Sequence, residues 1–142
     1  MFADTLFRAE QMHLLRMMIW AGLSVLSGTA IATLLTMRRI RSPLLAHFAL
    51  QMAAWGVAIA GVTAIEWRGL AMRDLTAATR LDRLLWMNVG LDIGYIAVGA
   101  TLALAAWLIA KRVAAVGAGV GIIVQGLALL VLHLQFTAAI SR

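Results

Sequence analysis

Charged residues divide this chain into four long apolar runs. Residues 17–37 hold 21 positions without a charge, residues 42–65 hold 24, and residues 113–141 hold 29. Residues 84–110 hold 27 with a single charge, Asp92. A bilayer core needs about 20 apolar residues in a helix, so each run fits one crossing. β-barrel strands would be about ten residues long with alternating polarity, which these continuous runs are not. Helices also satisfy every backbone polar group where no water is available. The expectation is an all-α membrane protein: one integral domain, residues 1–142, folded as a four-transmembrane-helix bundle of two antiparallel hairpins. Its spans are placed at about 14–37, 43–66, 83–110 and 113–139, with an outer loop over 67–82.

Local signals refine these boundaries. Ser42-Pro43 reads as an N-cap followed by a first-turn proline. Thr79-Arg80-Leu81-Asp82 has capping-box spacing just ahead of span 3. Leu70, Leu75, Ala78 and Leu81 recur among charges at helical spacing, as in an amphipathic segment lying on the membrane surface. The first apolar run is too long for a signal-peptide core, so span 1 is expected to persist, its helix starting as early as Asp4 or Thr5.

Composition agrees with this picture and narrows it. The chain of 142 residues is 63% hydrophobic and 13% charged, with mean hydropathy +0.95. A soluble domain is about a quarter charged, so soluble and disordered classes fall away. Cysteine is absent, which excludes disulfides and thiolate chemistry. The net charge of +6 lies in short loops, as membrane insertion requires, and is not read as a nucleic-acid footprint. An excess of Arg, Ala and Gly points to a bacterial source, hence a cytoplasmic (inner) membrane. Arg38, Arg39 and Arg41 in one turn, with Lys111 and Arg112 in another, place those turns inside and both termini outside. Trp20, Trp67 and Trp86 then form an outer aromatic belt, with Trp107 near the inner face.

Antiparallel pairing about the Arg112–Val113 turn sets residues at matching depth. Gly99 meets Gly126, and Asp92 meets His133. Gly90-x-x-x-Gly94 and Gly117-x-x-x-Gly121 add candidate close-packing patches. In the first hairpin the same reasoning sets Arg16 level with Glu66. Asp92 is the one acid well inside a span, where an ionisable group costs about 2–3 kcal/mol or more unless paired or hydrated. Asn88, Asp92 and Tyr95 share a helix face. With His133 and Gln125 they make a polar cluster, in which Asp92 accepts from His133 and Tyr95.

The stretch Asn88-Val-Gly90-Leu91-Asp92-Ile-Gly-Tyr95 resembles an N-x-G-L-D-x-x-Y motif of small uncharacterised bacterial four-span membrane proteins. That resemblance implies that Asn88, Asp92 and Tyr95 act as a set, and it carries no activity.

No hydrolase, phosphate-binding or metal-ligating pattern is present, so no catalytic residue, metal or cofactor is expected. Haem is the cofactor weighed: His47 near the inner face and His133 near the outer face cannot share an iron, and His13 reads as interfacial. The expected function is non-enzymatic: an accessory or self-associating subunit in the lipid bilayer, forming a homo-oligomer or part of a larger membrane complex. The alternative is binding or transport of protons, ions or a small polar ligand at Asp92 and His133. A haem- or quinone-linked subunit ranks below both.

Overall fold

A computed structural model describes residues 2–140. Four helices follow one another: α1 (Phe2–Met37), α2 (Pro43–Arg68), α3 (Leu75–Ala105) and α4 (Val113–Ile140). α3 runs on through one wider π-helical segment, Ala106–Ala110. All four are long and apolar enough to cross a membrane. The chain is a multi-pass membrane protein folded as a helical bundle, as the apolar runs require.

Ser42 caps α2 as expected, its hydroxyl accepting from the Leu45 amide at 3.3 Å. Two boundaries differ from the sequence reading. α1 begins at Phe2, two residues ahead of the earliest expected start at Asp4 and well before the apolar span at 14. α3 begins at Leu75, because Asp74 is its N-cap and accepts from the Ala77 amide at 2.7 Å. Thr79 therefore lies within the helix, its hydroxyl donating to the Leu75 carbonyl, and does not open a capping box. The expected surface helix is simply the first turns of α3, and the connector shrinks to residues 69–74. At about 1.5 Å per residue, the 36-residue α1 is about 54 Å long, well beyond a core of about 30 Å.

Both basic turns carry a non-glycine residue in the left-handed region, Arg39 at φ 51° and Lys111 at φ 52°. At the first, the Ile40 amide bonds the Leu35 carbonyl at 2.9 Å, closing a Schellman turn around Arg39.

Lipid tails are as apolar as leucine, so burial alone does not hold these helices together; close backbone approach does. α1 buries Leu6, Glu10, His13, Met17, Ala21 and Ser24 along one stripe. α2 answers with Ala49, Met52, Gly56, Ile59 and Thr63. Steps of three and four mark a left-handed helix pairing. α4 is central: it touches α1, α2 and α3, whereas the α3 backbone approaches only α4. Met17, Ala21, Ile59 and Leu129 form the apolar centre where α1, α2 and α4 meet.

Glycines mark the contacts, in a register shifted from the expected one. Gly99 packs against Gly119, where an added Cβ would lie 2.7 Å from the Gly119 carbonyl oxygen. Gly126 faces Asp92 and Ile96, so Gly99 and Gly126 each meet the opposing helix without meeting one another. Gly117 and Gly121 serve α2, against Leu44 and Gln51. Gly90 and Gly94 border open space and make no packing patch.

This contrast is measurable. Gly99→Ala should cost about 1–3 kcal/mol through overpacking, and Gly94→Ala less than about 0.5 kcal/mol. Equal effects on denaturant unfolding in detergent would contradict the observed register.

Candidate functional site

Three elements converge near the end of the bundle that carries both described termini. α3 contributes Asp92, 2% exposed, and α4 contributes His133, 7% exposed. Asp92 Oδ2 and His133 Nδ1 lie 2.6 Å apart, a charge-assisted contact. This is the depth-matched pair expected from the second turn. It leaves neither group alone in a medium that penalises isolated charge. Thr137 Oγ1 donates to the His133 carbonyl at 2.9 Å, bracing that turn of α4.

α1 adds a residue that the sequence reading placed at the membrane surface. His13 is buried, its ring 5.4 Å from the His133 ring and stacked on Phe136 at 4.5 Å. Its Nδ1 is buried and makes no well-aligned hydrogen bond among the described residues. His47, by contrast, is exposed in the first turns of α2. Among the described residues, no group of three or more His, Asp or Glu is arranged to hold a metal ion.

Above the pair lies a cavity of about 900 Å³ between α3 and the α1–α2 hairpin. Ligand sites commonly measure about 300–1,000 Å³. One wall is a stripe of α3 running from Thr76 to Tyr95, about 28 Å at 1.5 Å per residue. The cavity exists because α3 leans on α4 alone. Trp55 of α2 and Tyr95 of α3 bridge the gap edge to face, with centroids 5.0 Å apart.

The mouth is tied by an ion pair. Arg73, from the α2–α3 connector, donates through Nε to Glu10 Oε2 at 2.8 Å and through a second nitrogen to Glu10 Oε1. That bidentate bond holds the Arg73 guanidinium above its ordinary pKa, against an opposing effect of burial. Arg16 does not pair with Glu66 as expected; it donates to Gln135 Oε1 at 3.1 Å.

The expected polar cluster divides in two. Asn88 and Tyr95 line the cavity with Asp92, but neither hydrogen-bonds it, and Tyr95 spends its ring on Trp55. Gln125 belongs elsewhere. It accepts from Trp20 Nε1 at 2.9 Å and donates to Ser24 Oγ at 3.1 Å, with Met52 Sδ at 3.2 Å. This second network fastens α1, α2 and α4, and it turns Trp20 inward instead of leaving it in an aromatic belt. Trp86 and Trp107 are exposed, as lipid-facing residues should be. Depth arithmetic missed Glu10 and His13 because they lie outside the charge-free run. Their place on the Leu6–Ser24 stripe, in steps of three and four, was the available signal.

Fold and composition define a small helical membrane protein with a ligand-sized cavity at one end. More particularly, the chain belongs to the family of unknown function DUF6992, whose pattern matches residues 16–134. The match includes Asp92 and His133 and stops short of Glu10 and His13. No curated protein and no solved structure matches the chain.

A double-mutant cycle gauges the central pair. Asp92→Asn and His133→Gln should couple by about 1–2 kcal/mol, the upper range for interhelical hydrogen bonds in membranes. Coupling near zero in unfolding titrations would show that the contact contributes nothing.

Proposed function

We propose that this protein binds a small ligand from within or beside the membrane, in the cavity over Asp92 and His133, without carrying out a reaction on it. The observation behind this reading is the position of the paired acid and imidazole. They line a cavity that a purely structural pair would have no reason to adjoin, since tight packing on both sides would hold them more cheaply. A mostly apolar lining with a few convergent polar groups is the usual composition of a ligand site. The proposal includes a cytoplasmic membrane location with both termini, and hence the cavity mouth, outside. T5C should then react with an impermeant maleimide in intact cells, and protection would reverse the orientation.

Self-association or service as an accessory subunit draws on another face. Between α1 and α4, Ile19, Leu23, Leu127 and Val131 line an apolar groove beside the Arg16–Gln135 bond. A neighbouring transmembrane helix would fit such a groove through packing alone.

Native mass spectrometry from mild detergent separates the two. Ligand binding predicts a small-molecule adduct on the unmodified protein that is lost in A58W, which fills the cavity wall, and weakened in D92N. An unmodified protein with no adduct, or an adduct indifferent to A58W, would overturn it. A recurrent larger mass containing a second chain would favour the subunit reading.

A further inference from the structure

The end of the bundle opposite the cavity carries charge of one sign only. Arg38, Arg39 and Arg41 lie in the α1–α2 turn, and Lys111 and Arg112 in the turn before α4; all five are exposed. The ion pairs among the described residues, Glu10–Arg73 and Asp92–His133, lie elsewhere. The acid nearest to either turn along the chain, Asp92, stands 19 residues before Lys111, about 28 Å of helix at 1.5 Å per residue. Charges more than about 8 Å apart are largely screened at physiological salt, so no carboxylate of this chain offsets the five. The two turns are also neighbours. Leu44, at the start of α2, sits against Gly117, near the start of α4, so closely that an added Cβ would overlap the Leu44 carbonyl. α2 and α4 therefore begin side by side, with the positive ends of both helix dipoles at the cluster. Ser42 caps α2, whereas the side chain ahead of α4, Arg112, has only donors. The Ala115 and Val116 amides bond the Arg112 carbonyl, and those of Val113 and Ala114 remain open to an outside acceptor. Exposed Ile40, Leu45, Trp107 and Val113 flank the five charges with apolar surface.

Independently of the cavity reading, we infer that this end of the bundle binds an anionic phospholipid carrying two phosphates in one headgroup, as cardiolipin does. One phosphate lies against the Arg38–Arg41 turn, the other against Lys111, Arg112 and the open start of α4. Arg offers phosphate oxygens a planar fork of donors, and Lys a point charge. Basic surfaces between transmembrane helices are where such headgroups are held. A free phosphate would satisfy the cations and leave the apolar rim bare, whereas a lipid covers both. Membrane orientation requires that these turns be basic, but not that they adjoin. Their juxtaposition is what favours two phosphates on one molecule: both clusters are filled with a single loss of translational freedom, and the lipid straps one hairpin to the other.

The test titrates the full chain, purified in mild detergent, with cardiolipin, phosphatidylglycerol and phosphatidylcholine of matched oleoyl chains. Native mass spectrometry counts bound lipid, and circular dichroism follows thermal unfolding. At equal phosphate, cardiolipin should bind about tenfold more tightly than phosphatidylglycerol and raise Tm by about 5 °C, with phosphatidylcholine at background. R41Q/R112Q, one substitution in each turn, should bring cardiolipin down to the level of phosphatidylglycerol. R68Q/R83Q removes the same charge from exposed positions at the opposite end and should keep the full preference. Equal binding of cardiolipin and phosphatidylglycerol by the unmodified chain, a preference that survives R41Q/R112Q, or an equal loss in R68Q/R83Q would each overturn the inference. Pyrophosphate that raises Tm as far as cardiolipin does would overturn it in favour of a soluble phosphate ligand. The lipid ranking on the unmodified chain decides even if R41Q/R112Q does not fold.

Discussion

A carboxylate inside a bilayer has few stable environments, and the architecture of this bundle follows from the one found for Asp92. Burial against α4 and a 2.6 Å contact with His133 satisfy it. To bring those groups together, α3 must run close along α4, which small residues such as Gly99 and Gly119 permit. α4 in turn binds α1 and α2 through Gln125, Trp20 and Ser24. With α3 committed to one neighbour, a wedge opens on its other side. The cavity thus shares a wall with the contact that satisfies the acid.

The two polar networks have different surroundings and so different capacities. Gln125 is fully enclosed, and both ends of its amide are used. Such a closed network fixes register and has nothing left to offer a ligand. The Asp92–His133 network borders open volume, and the ring of His13 lies next to it. Polar groups that converge on open space are what distinguish a receptive site from a structural one. The Glu10–Arg73 bond has a third role, since it pins the α2–α3 connector to α1 across the cavity mouth.

Much of this was legible from residues alone, for identifiable reasons. Lipid imposes length and polarity so strictly that four spans could be counted from the gaps between charges. A tight turn at Lys111 and Arg112 fixed depth closely enough to match Asp92 with His133. Depth does not specify direction around a helix, however. Gln125 and Gly117 lay at suitable levels and proved to face α1 and α2. Gly90 and Gly94 had the spacing of a packing motif and no helix opposite them. His13 and Glu10 were hidden for another reason: charges near a span read as membrane edge, whereas here protein covers them where α1 extends past the apolar run.

Arg39 and Lys111 occupy a backbone conformation in which a side chain costs about 1–2 kcal/mol relative to glycine. Both stand in the clusters of positive charge that orient a membrane protein as it inserts. Glycine at these two turns would give a sturdier bundle whose threading through the bilayer was less well determined. The fold thus carries local strain at the two places where a positive side chain stands in the turn, and backbone ease there competes directly with turn charge.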